Sequence, residues 1–414
     1  MDGLQYRDRT LAQVLCKAAR QFSALVVTGP RQSGKTTLVR HLFGATHQYV
    51  SLDDPVTREQ ALSDPRLLLS RFPAPVILDE IQYAPDLLHY VKADIDSRRD
   101  KRGLYVLTGS QTFPLMQGIS ESLAGRAAVF SLLSMSIREV AGWPDGDVQW
   151  REILLEEGPR RPRIQKLEIR DLSRAIWRGG FPEPALSDEM DARLWQASYV
   201  QTYLERDVRT LRSVGDLHGF QRVLFALAAR TGSPLNYADL SRDLGVTGKT
   251  VKAWVSVLEA SGQIFVLKPY HASLGKRLVK RPKVYFLDTG TLAYLLDIDS
   301  HENVLKGMAG GPMFESAVLG QLVRLFVHRG ERPRIYFWRT AAGHEVDFVL
   351  EGSGGMLIPI EAKQTATPST YHASAIEVFQ RLFGRRAGKG LVVCLCRERF
   401  ALTRTVDAVP LGSF

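Results

Sequence analysis

The feature that most constrains this chain is a glycine-containing loop between a predicted strand and a predicted helix. Residues 29–36 read GPRQSGKT, which fits the pattern GxxxxGK[ST]. The apolar run ALVVT at 24–28 predicts a buried strand before the loop, and a helix is expected from Lys35. In this context, glycines let backbone N–H groups turn inward around phosphate groups, and the positive end of the helix adds to the attraction.

The loop therefore predicts a nucleotide site with Mg²⁺. Lys35 is expected to reach the β- and γ-phosphates, and the hydroxyl of Thr36 is expected to bind Mg²⁺. The residues predicted to bind the nucleotide are Gly29, Pro30, Arg31, Gln32, Ser33, Gly34, Lys35, Thr36 and Thr37.

A second pattern of the same kind lies at residues 75–80, where PVILDE is an apolar run that ends in two carboxylates. It predicts a buried strand with acidic groups at its carboxyl end. Asp79 is expected to hold Mg²⁺, directly or through water, and Glu80 is expected to polarise the attacking water. The alternative is an ordinary buried strand with a solvated acidic end.

A third run, LYVLTGS at 104–110, predicts another strand of the same sheet. It ends in Ser110 and Gln111, polar groups able to sense the γ-phosphate. Over residues 1–145, short β-branched runs alternate with longer amphipathic stretches. This alternation predicts a parallel α/β sheet.

Composition excludes several classes of protein. The chain has 414 residues, which is too long for one compact core, and it has a formal net charge of +10. Its three cysteines, Cys16, Cys394 and Cys396, are too few for a disulfide framework or a four-thiolate zinc site, and they fit a reducing cytosol. Since no apolar run reaches the roughly 18 residues that span a bilayer, we expect a cytoplasmic protein that is not integral to a membrane.

Shifts in composition and periodicity predict four parts. Between residues 142 and 180 the chain becomes rich in Pro, Gly and Arg, which suggests a domain boundary, and residues 190–230 have helical periodicity. The predicted parts are a parallel-sheet domain at 1–145, a helical connector at 146–230, a small module with a basic loop at 231–283, and a second α/β domain at 284–414.

The small module has the pattern of two helices joined by a turn. Leu240 and Leu244 precede a turn at Gly245, and the apolar residues that then repeat at helical spacing are Val251, Trp254, Val255 and Leu258. This is a helix-turn-helix pattern, and the extended segment IFVLKPY after it can form a wing. The polar side chains that could contact a DNA backbone are Lys249, Thr250, Lys252, Ser256, Lys276, Arg277, Lys280, Arg281 and Lys283. A module that contacts a protein partner is the alternative.

A further constellation lies near the C-terminus. Glu315 stands on a predicted helix, Asp347 lies in EVDFV, and Glu361 and Lys363 share a strand face in EAK. Two acidic groups and a lysine at the bend of a hairpin can hold Mg²⁺ and orient water for phosphodiester cleavage. We therefore predict Asp347, Glu361 and Lys363 as catalytic residues, with Asp347 and Glu361 as metal ligands. The alternative is a fold kept for binding or stability.

An ordered set of motifs covers nearly the whole chain: GPRQSGKTTL, VILDEIQ, LTGSQ, SLAGR, RGGFPEP, YLERDV, KVYFLDTG, HEVDFVL and IEAK. In this set the chain resembles the AAA-type ATPases of bacteria and archaea that carry a C-terminal domain of unknown function. The resemblance implies that Ser110 is a sensor residue and that Arg126 in SLAGR is an arginine finger. Because such a finger serves a neighbouring subunit, the resemblance also implies a homo-oligomer.

The C-terminal constellation resembles the PD-(D/E)XK nuclease pattern, with Asp347, then Glu361 and Lys363. The resemblance implies that Glu315 is the helical acid and a third metal ligand. HEVD stands where that pattern has Pro-Asp, which is a mild departure. The expected fold is therefore α/β: a P-loop AAA-type parallel-sheet domain, a helical connector, a winged-helix-like module and a nuclease-like domain.

These observations favour an oligomeric, Mg²⁺-dependent ATPase whose nucleotide state controls a DNA-binding, nuclease-like C-terminal region. The alternative is an ATP-driven switch or scaffold that recruits a protein partner, with an inactive nuclease fold. A third possibility, a peripheral membrane ATPase that uses its basic surface, lacks an amphipathic anchor helix in the sequence.

Overall fold

The fold was analysed in a computed structural model of the chain. The structure describes residues 6–109, 118–119, 121–145, 149–155, 167–204, 216–271 and 281–413. Five of the residues predicted from sequence lie outside these ranges: Ser110, Gln111, Lys276, Arg277 and Lys280.

The N-terminal part is built on a five-stranded sheet with the order β2-β3-β4-β1-β5. All of its strand pairs are parallel, which confirms the predicted parallel α/β sheet. The strands are β1 (Ala24–Thr28), β2 (Gln48–Ser51), β3 (Val76–Asp79), β4 (Tyr105–Thr108) and β5 (Ala127–Ser131). The helices around them are α1 (Leu11–Ala19), α2 (Lys35–Phe43), α3 (Pro55–Ser63), α4 (Pro65–Arg71) and α5 (Leu87–Ser97).

Helices cover both faces of this sheet, as parallel sheets require. On one face, Leu25 and Val27 of β1 pack with Leu11 of α1 and Leu38 of α2. On the other face, Val26 of β1 packs in a cluster with side chains of α3, α4 and α5. The three inner strands, β1, β3 and β4, are therefore buried along their whole length, and they end in the polar residues Thr28, Asp79 and Thr108.

Helices dominate the next part of the chain. They are α6 (Ile137–Val140), α7 (Trp150–Leu155), α8 (Ile169–Arg178), α9 (Pro182–Leu186), α10 (Ala192–Tyr199), α11 (Leu217–Ala228), α12 (Tyr237–Leu244) and α13 (Gly248–Ala260). A π-helical segment, Val200–Leu204, follows α10.

Helices α12 and α13 form the predicted pair. Gly245 ends α12 with a left-handed φ of 68°, a conformation that glycine adopts without strain. The Thr247 side chain caps α13 by accepting a hydrogen bond from the N–H of Thr250. The predicted apolar face of α13, Val251, Trp254, Val255 and Leu258, is buried.

The C-terminal part contains an eight-stranded sheet with the order β12-β13-β11-β10-β9-β8-β6-β7. Its strands are β6 (Ile264–Pro269), β7 (Lys283–Phe286), β8 (Ile335–Arg339), β9 (Glu345–Glu351), β10 (Leu357–Lys363), β11 (Gly390–Cys394), β12 (Phe400–Ala401) and β13 (Val406–Pro410). The helices are α14 (Thr289–Leu295), α15 (Gly310–Val327) and α16 (Ser374–Phe383). Strands β9 and β10 form the expected antiparallel hairpin, and the segment between them contains Gly352, Gly354 and Gly355.

One hydrophobic core is formed by buried residues that lie between Leu133 and Leu411 in the sequence. It includes residues of the connector, of the helix pair and of the second sheet. Helix α15 contributes many of its side chains to this core, among them Phe314, Val318 and Leu322. The predicted borders at 230/231 and 283/284 fall within this shared core. The four-part division stays a prediction.

A search of the described residues for a helix long and apolar enough to cross a membrane found none.

Candidate functional site

The phosphate-binding loop connects β1 directly to α2, as its pattern requires. Gly29 has a φ of 135°, and a Cβ at this position would lie 2.3 Å from the carbonyl oxygen of Leu132. Gly34 precedes α2 with a left-handed φ of 89°. A side chain at Gly29 would therefore displace the loop from β5, and both glycines are needed for the path of the backbone.

Lys35 lies inside this loop, with only 5% of its surface exposed. Its ammonium group donates hydrogen bonds to the carbonyl oxygens of Pro30, at 2.7 Å, and Gly29, at 3.1 Å. An ammonium group has three donors that can change partners. The lysine is thus held where it can exchange loop carbonyls for phosphate oxygens.

Asp79, at the end of β3, is surrounded by hydroxyl groups. It is 3% exposed. The hydroxyl of Thr36 lies 3.0 Å from both carboxylate oxygens, and the hydroxyl of Tyr49 donates to Oδ2 at 2.7 Å. The hydroxyl of Thr108 donates to Oδ1. The predicted magnesium ligands Thr36 and Asp79 are therefore in direct contact.

The order of the strands explains which side chains reach Asp79. Strand β3 lies between β2, which carries Tyr49, and β4, which ends at Thr108. Burial, and then the hydrogen bond to Asp79, raises the pKa of Tyr49 to about 12, so its phenol stays a donor at neutral pH. Sequence reasoning missed both residues, and the polar end of the run 104–110 was the signal for Thr108.

Glu80 follows Asp79 with a φ of 59°, a left-handed conformation that is uncommon for a residue with a side chain. Its backbone N–H donates to the hydroxyl of Thr108 at 3.3 Å. Its carboxylate accepts a hydrogen bond from the amide group of Gln82. Thr108 therefore links the carboxylate of Asp79 to the backbone of Glu80.

A cavity of about 190 Å³ adjoins the loop. Gln32, Thr37 and Leu38 line it on the loop side, while Tyr6 and Pro182 line it on the other. The cavity is thus enclosed jointly by the N-terminal segment, the loop and α9.

Arg126 lies at the opposite end of the sheet from the phosphate-binding loop. It directly precedes β5, whose first residue pairs with Ala24 at the start of β1. Strand β1 spans roughly 16 Å at about 3.3 Å per residue, so Arg126 cannot reach the loop of the same chain. Its guanidinium makes two bonds to the Asp96 carboxylate, at 2.7 Å and 3.0 Å.

In the second sheet, Asp347 on β9 lies next to Glu361 and Lys363 on β10. The ammonium group of Lys363 lies 2.6 Å from Glu361 Oε1 and 3.8 Å from Asp347 Oδ2. Asp347 Oδ2 also accepts a hydrogen bond from the N–H of Ala362 at 3.0 Å. The predicted lysine is therefore located between the two predicted carboxylates.

Glu315 on α15 approaches the same place from the helix. It accepts a hydrogen bond at 3.1 Å from the hydroxyl of Tyr285 on β7. Burial, and then the negative charge of Asp347, raises the pKa of Glu315 to about 7. The carboxyl groups of Glu315, Asp347 and Glu361 together form the acidic cluster.

Burial also raises the pKa values of Asp347 and Glu361, although Lys363 opposes both shifts. Burial thus disfavours the charged form of all three carboxyl groups, and a positive charge among them opposes this effect. Among the residues that the structure describes, however, no group of three or more His, Cys, Asp or Glu side chains is arranged to hold a metal ion. In this conformation Lys363, rather than a set of three ligands, compensates the acidic cluster.

The basic side chains of the helix pair are exposed as expected, with one exception. Lys249 and Lys252 on α13 and Arg281 before β7 are exposed. Lys283, which was expected to belong to the same surface, does not: its side chain is 7% exposed and forms an ion pair with Glu345. The prediction for Lys283 was wrong because β7 turns this residue toward β9.

Comparison with protein families gives three matches along the chain. An AAA domain matches residues 21–141. Two domains of unknown function match the remainder, DUF8612 at residues 169–302 and DUF4143 at residues 310–414. The AAA match contains the phosphate-binding loop, Asp79 and Glu80.

Solved structures with some similarity include the Walker-type ATPase PABY2304 of Pyrococcus abyssi, with a TM-score of 0.45 and 13% identity over 71% of this chain and 99% of that one. A variant of RuvB from Thermotoga maritima has a TM-score of 0.30 and 16% identity over 62% of this chain and 86% of that one. Both scores are low, so the family assignment depends on sequence.

Two curated relatives match nearly the whole chain. They are the uncharacterized protein Rv2008c of Mycobacterium tuberculosis and the uncharacterized protein Mb2031c of Mycobacterium bovis. Each is 31% identical over 406 residues, which is 97% of this chain and 83% of the relative. The chain therefore belongs to the same protein family as these mycobacterial proteins, and its N-terminal part is an AAA-type ATPase domain.

Proposed function

We propose that the protein is a Mg²⁺-dependent ATPase whose nucleotide state controls a DNA-binding, nuclease-like C-terminal region. The observation that supports ATP hydrolysis most strongly is the contact of Thr36 with Asp79 beside the buried Lys35. A hydroxyl and a carboxylate are oxygen ligands of the kind that Mg²⁺ prefers. Mg²⁺ held by these two residues would neutralise charge on the β- and γ-phosphates.

In this proposal each residue of the nucleotide site has its own task. Lys35 exchanges the carbonyls of Gly29 and Pro30 for phosphate oxygens, and the loop amides bind the remaining oxygens. Glu80 polarises the attacking water, and Ser110 keeps its predicted sensor role. The cavity of about 190 Å³ beside the loop accommodates the nucleoside.

Arg126 is proposed to complete the site of a neighbouring subunit in a homo-oligomer. Because it lies too far from the loop of its own subunit, Arg126 could act as a finger only in trans. The alternative is a surface arginine, which here pairs with Asp96. Arg99 and Arg102 line a cavity of about 450 Å³ together with Arg126. This basic cavity suits the approach of a phosphate-bearing face from a second copy, once Arg126 leaves Asp96.

The acidic cluster is proposed as the nuclease-like site. Asp347, Glu361 and Glu315 would hold a divalent cation after Lys363 shifts away from the carboxylates, and Lys363 would then orient the attacking water. The winged-helix-like module would bind the DNA backbone through its basic residues, which are Lys249, Lys252, Lys276, Arg277, Lys280 and Arg281. The competing proposal is an ATP-driven oligomeric switch or scaffold for a protein partner, favoured by the closure of the cluster by Lys363.

The test uses purified protein with Mg²⁺, with and without ATP, incubated with linear, single-stranded and branched DNA. Binding, cutting and ATP turnover are measured together. Lys35→Ala should lose ATP binding and turnover, because it removes the ammonium charge that holds the β- and γ-phosphates. Asp347→Ala should lose cutting while it keeps ATP turnover near wild type.

The results of this experiment distinguish the nuclease-like proposal from the switch or scaffold proposal. Cutting that depends on Asp347 and responds to ATP supports the nuclease-like site. ATP turnover without DNA binding or cutting favours the switch or scaffold. Absence of ATP binding to the wild-type protein would refute both.

A further inference from the structure

Arg9 precedes the matched AAA domain, yet it contacts the phosphate-binding loop. The residue is 5% exposed. Its Nη1 donates to the carbonyl oxygen of Ser33 at 2.8 Å, and its Nη2 donates to the carbonyl oxygen of Leu133 at 2.8 Å. One guanidinium group therefore ties the loop to the segment that follows β5.

The bond to Ser33 determines the direction of a loop amide. The carbonyl of Ser33 and the N–H of Gly34 belong to one planar trans peptide, in which the two groups point in opposite directions. Because Arg9 holds the carbonyl, the N–H of Gly34 points away from Arg9. Backbone N–H groups in this type of loop are the donors to phosphate oxygens. Arg9 thus orients one donor of the nucleotide site.

Arg9 is in turn held by Glu139 on α6, a residue with no exposed surface. The Nε of Arg9 lies 3.2 Å from Glu139 Oε2. Glu139 also accepts hydrogen bonds from the backbone N–H groups of Thr10, at 2.8 Å, and Ser136, at 2.9 Å. Burial alone would raise the pKa of Glu139, but Arg9 and His328 hold that pKa well below its usual range. Glu139 is therefore an ionised carboxylate that pairs with the positive charge of Arg9.

His328 connects this pair to helix α15. It lies directly after the last residue of the helix, is 1% exposed, and places Nδ1 3.3 Å from Glu139 Oε1. One turn earlier, Arg324 donates from Nε to the carbonyl oxygen of Ser134 at 2.8 Å. The same helix carries Glu315 of the acidic cluster, roughly 20 Å away at 1.5 Å per residue. A single helix therefore joins the support of the loop to the acidic cluster.

We infer that Arg9 is a positioning residue of the phosphate-binding loop, and that Glu139 and His328 make its position depend on α15. ATP binding and the attachment of α15 are then coupled, and by linkage each strengthens the other. The inference rests on ATP binding at the loop, as proposed above. It is independent of whether the acidic cluster cleaves DNA.

The first test measures KM and kcat for ATP in variants at the two ends of this chain of contacts. Arg9→Lys keeps the charge but cannot span Ser33 and Leu133. His328→Leu removes the nitrogen that faces Glu139, whereas His328→Asn keeps a donor near the position of Nδ1. We expect about a fivefold or greater rise of KM in Arg9→Lys and His328→Leu, a smaller change in kcat, and partial rescue in His328→Asn.

The combined variant decides whether the two residues act together. If they do, Arg9→Lys with His328→Leu raises KM no further than the more severe single variant. Lys17→Arg, on the exposed side of α1, is the control for an exchange between lysine and arginine near the N-terminus. ATP binding by folded His328→Leu protein as tight as in wild type, or KM effects that multiply in the double variant, would overturn the inference.

A second measurement requires no change at the buried histidine. Hydrogen exchange at residues 324–328 is compared in wild-type protein with and without ATP and Mg²⁺. We expect nucleotide to slow exchange there in wild type, and to slow it less in Arg9→Lys. Equal exchange in wild type with nucleotide bound would contradict the coupling. Lys35→Ala serves as the reference, because tight ATP binding by that variant would refute the proposed nucleotide site instead.

Discussion

Thr108 offers a quantitative test of the nucleotide site, because its hydroxyl has two partners and no exposed surface. The hydroxyl donates to the carboxylate of Asp79 and accepts the backbone N–H of Glu80 at 3.3 Å. Thr108→Val keeps the shape of the side chain and removes both hydrogen bonds. A hydrogen bond to a charged group contributes about 1.5–3 kcal/mol, so we expect the free energy of unfolding to fall by about 2 kcal/mol.

The same change should slow ATP hydrolysis. A loss of about 1.4 kcal/mol of transition-state stabilisation corresponds to a tenfold loss of rate, so kcat should fall about tenfold or more if Thr108 holds Asp79 and Glu80 in position. The assays are urea unfolding and steady-state ATP turnover. Ser23→Ala is the control, because it removes a buried hydroxyl that bonds a neutral carbonyl, that of Lys101 at 2.9 Å, and it should cost about 1 kcal/mol. Equal stability losses in the two variants, together with unchanged kcat in Thr108→Val, would refute the reasoning.

Three further predictions concern the other sites. Arg126→Ala should lose ATPase activity, and mixing with Glu80→Gln subunits should partly restore it, since a mixed interface pairs an intact Arg126 with an intact Glu80. An active protein that sediments as a monomer in every nucleotide state would contradict this prediction. Changing Lys249, Lys252, Lys280 and Arg281 to Glu should weaken DNA binding and flatten its dependence on salt, while ATP binding is unchanged; binding equal to wild type at matched salt would identify the module as a protein-contact surface. Burial raises the pKa of Glu315 from 4.5 to about 7, so between these pH values the folded protein binds more protons than the unfolded protein. The free energy of unfolding should therefore fall as pH rises through this range, by at most about 3 kcal/mol. Glu315→Gln should flatten this pH dependence in urea unfolding, and an unchanged pH dependence would show that Glu315 does not titrate there.

The parts of the nucleotide site that lie within one short segment of the chain were predictable from the sequence. The pattern of residues 29–36, with a strand before it and a helix after it, predicts the loop, and the carboxylates at the end of β3 predict Asp79. Tyr49 and Thr108 could not be assigned, because their contact with Asp79 depends on β2 and β4 lying on either side of β3. Periodicity predicts strands, but it does not determine their order.

Contacts between residues that are far apart in the sequence could not be predicted in other parts of the chain either. Arg9 lies 24 residues from its partner Ser33, and Glu139 and His328 belong to different parts of the chain. Lys283 was predicted to belong to the basic surface that could contact DNA, and only the fold places it against Glu345. Glu361 and Lys363 were expected on one face because they are two residues apart on a strand, a relation that the local pattern contains.

The most direct test of the central claim is the DNA affinity of Glu80→Gln protein, which should bind ATP without hydrolysing it. Binding is measured at matched salt with Mg²⁺ and ATP, with Mg²⁺ and ADP, and without nucleotide. If nucleotide state controls the C-terminal region, the Kd with ATP should differ from the Kd with ADP by about fivefold or more. The same Kd in all three states, with ATP binding confirmed in the same samples, would contradict the account.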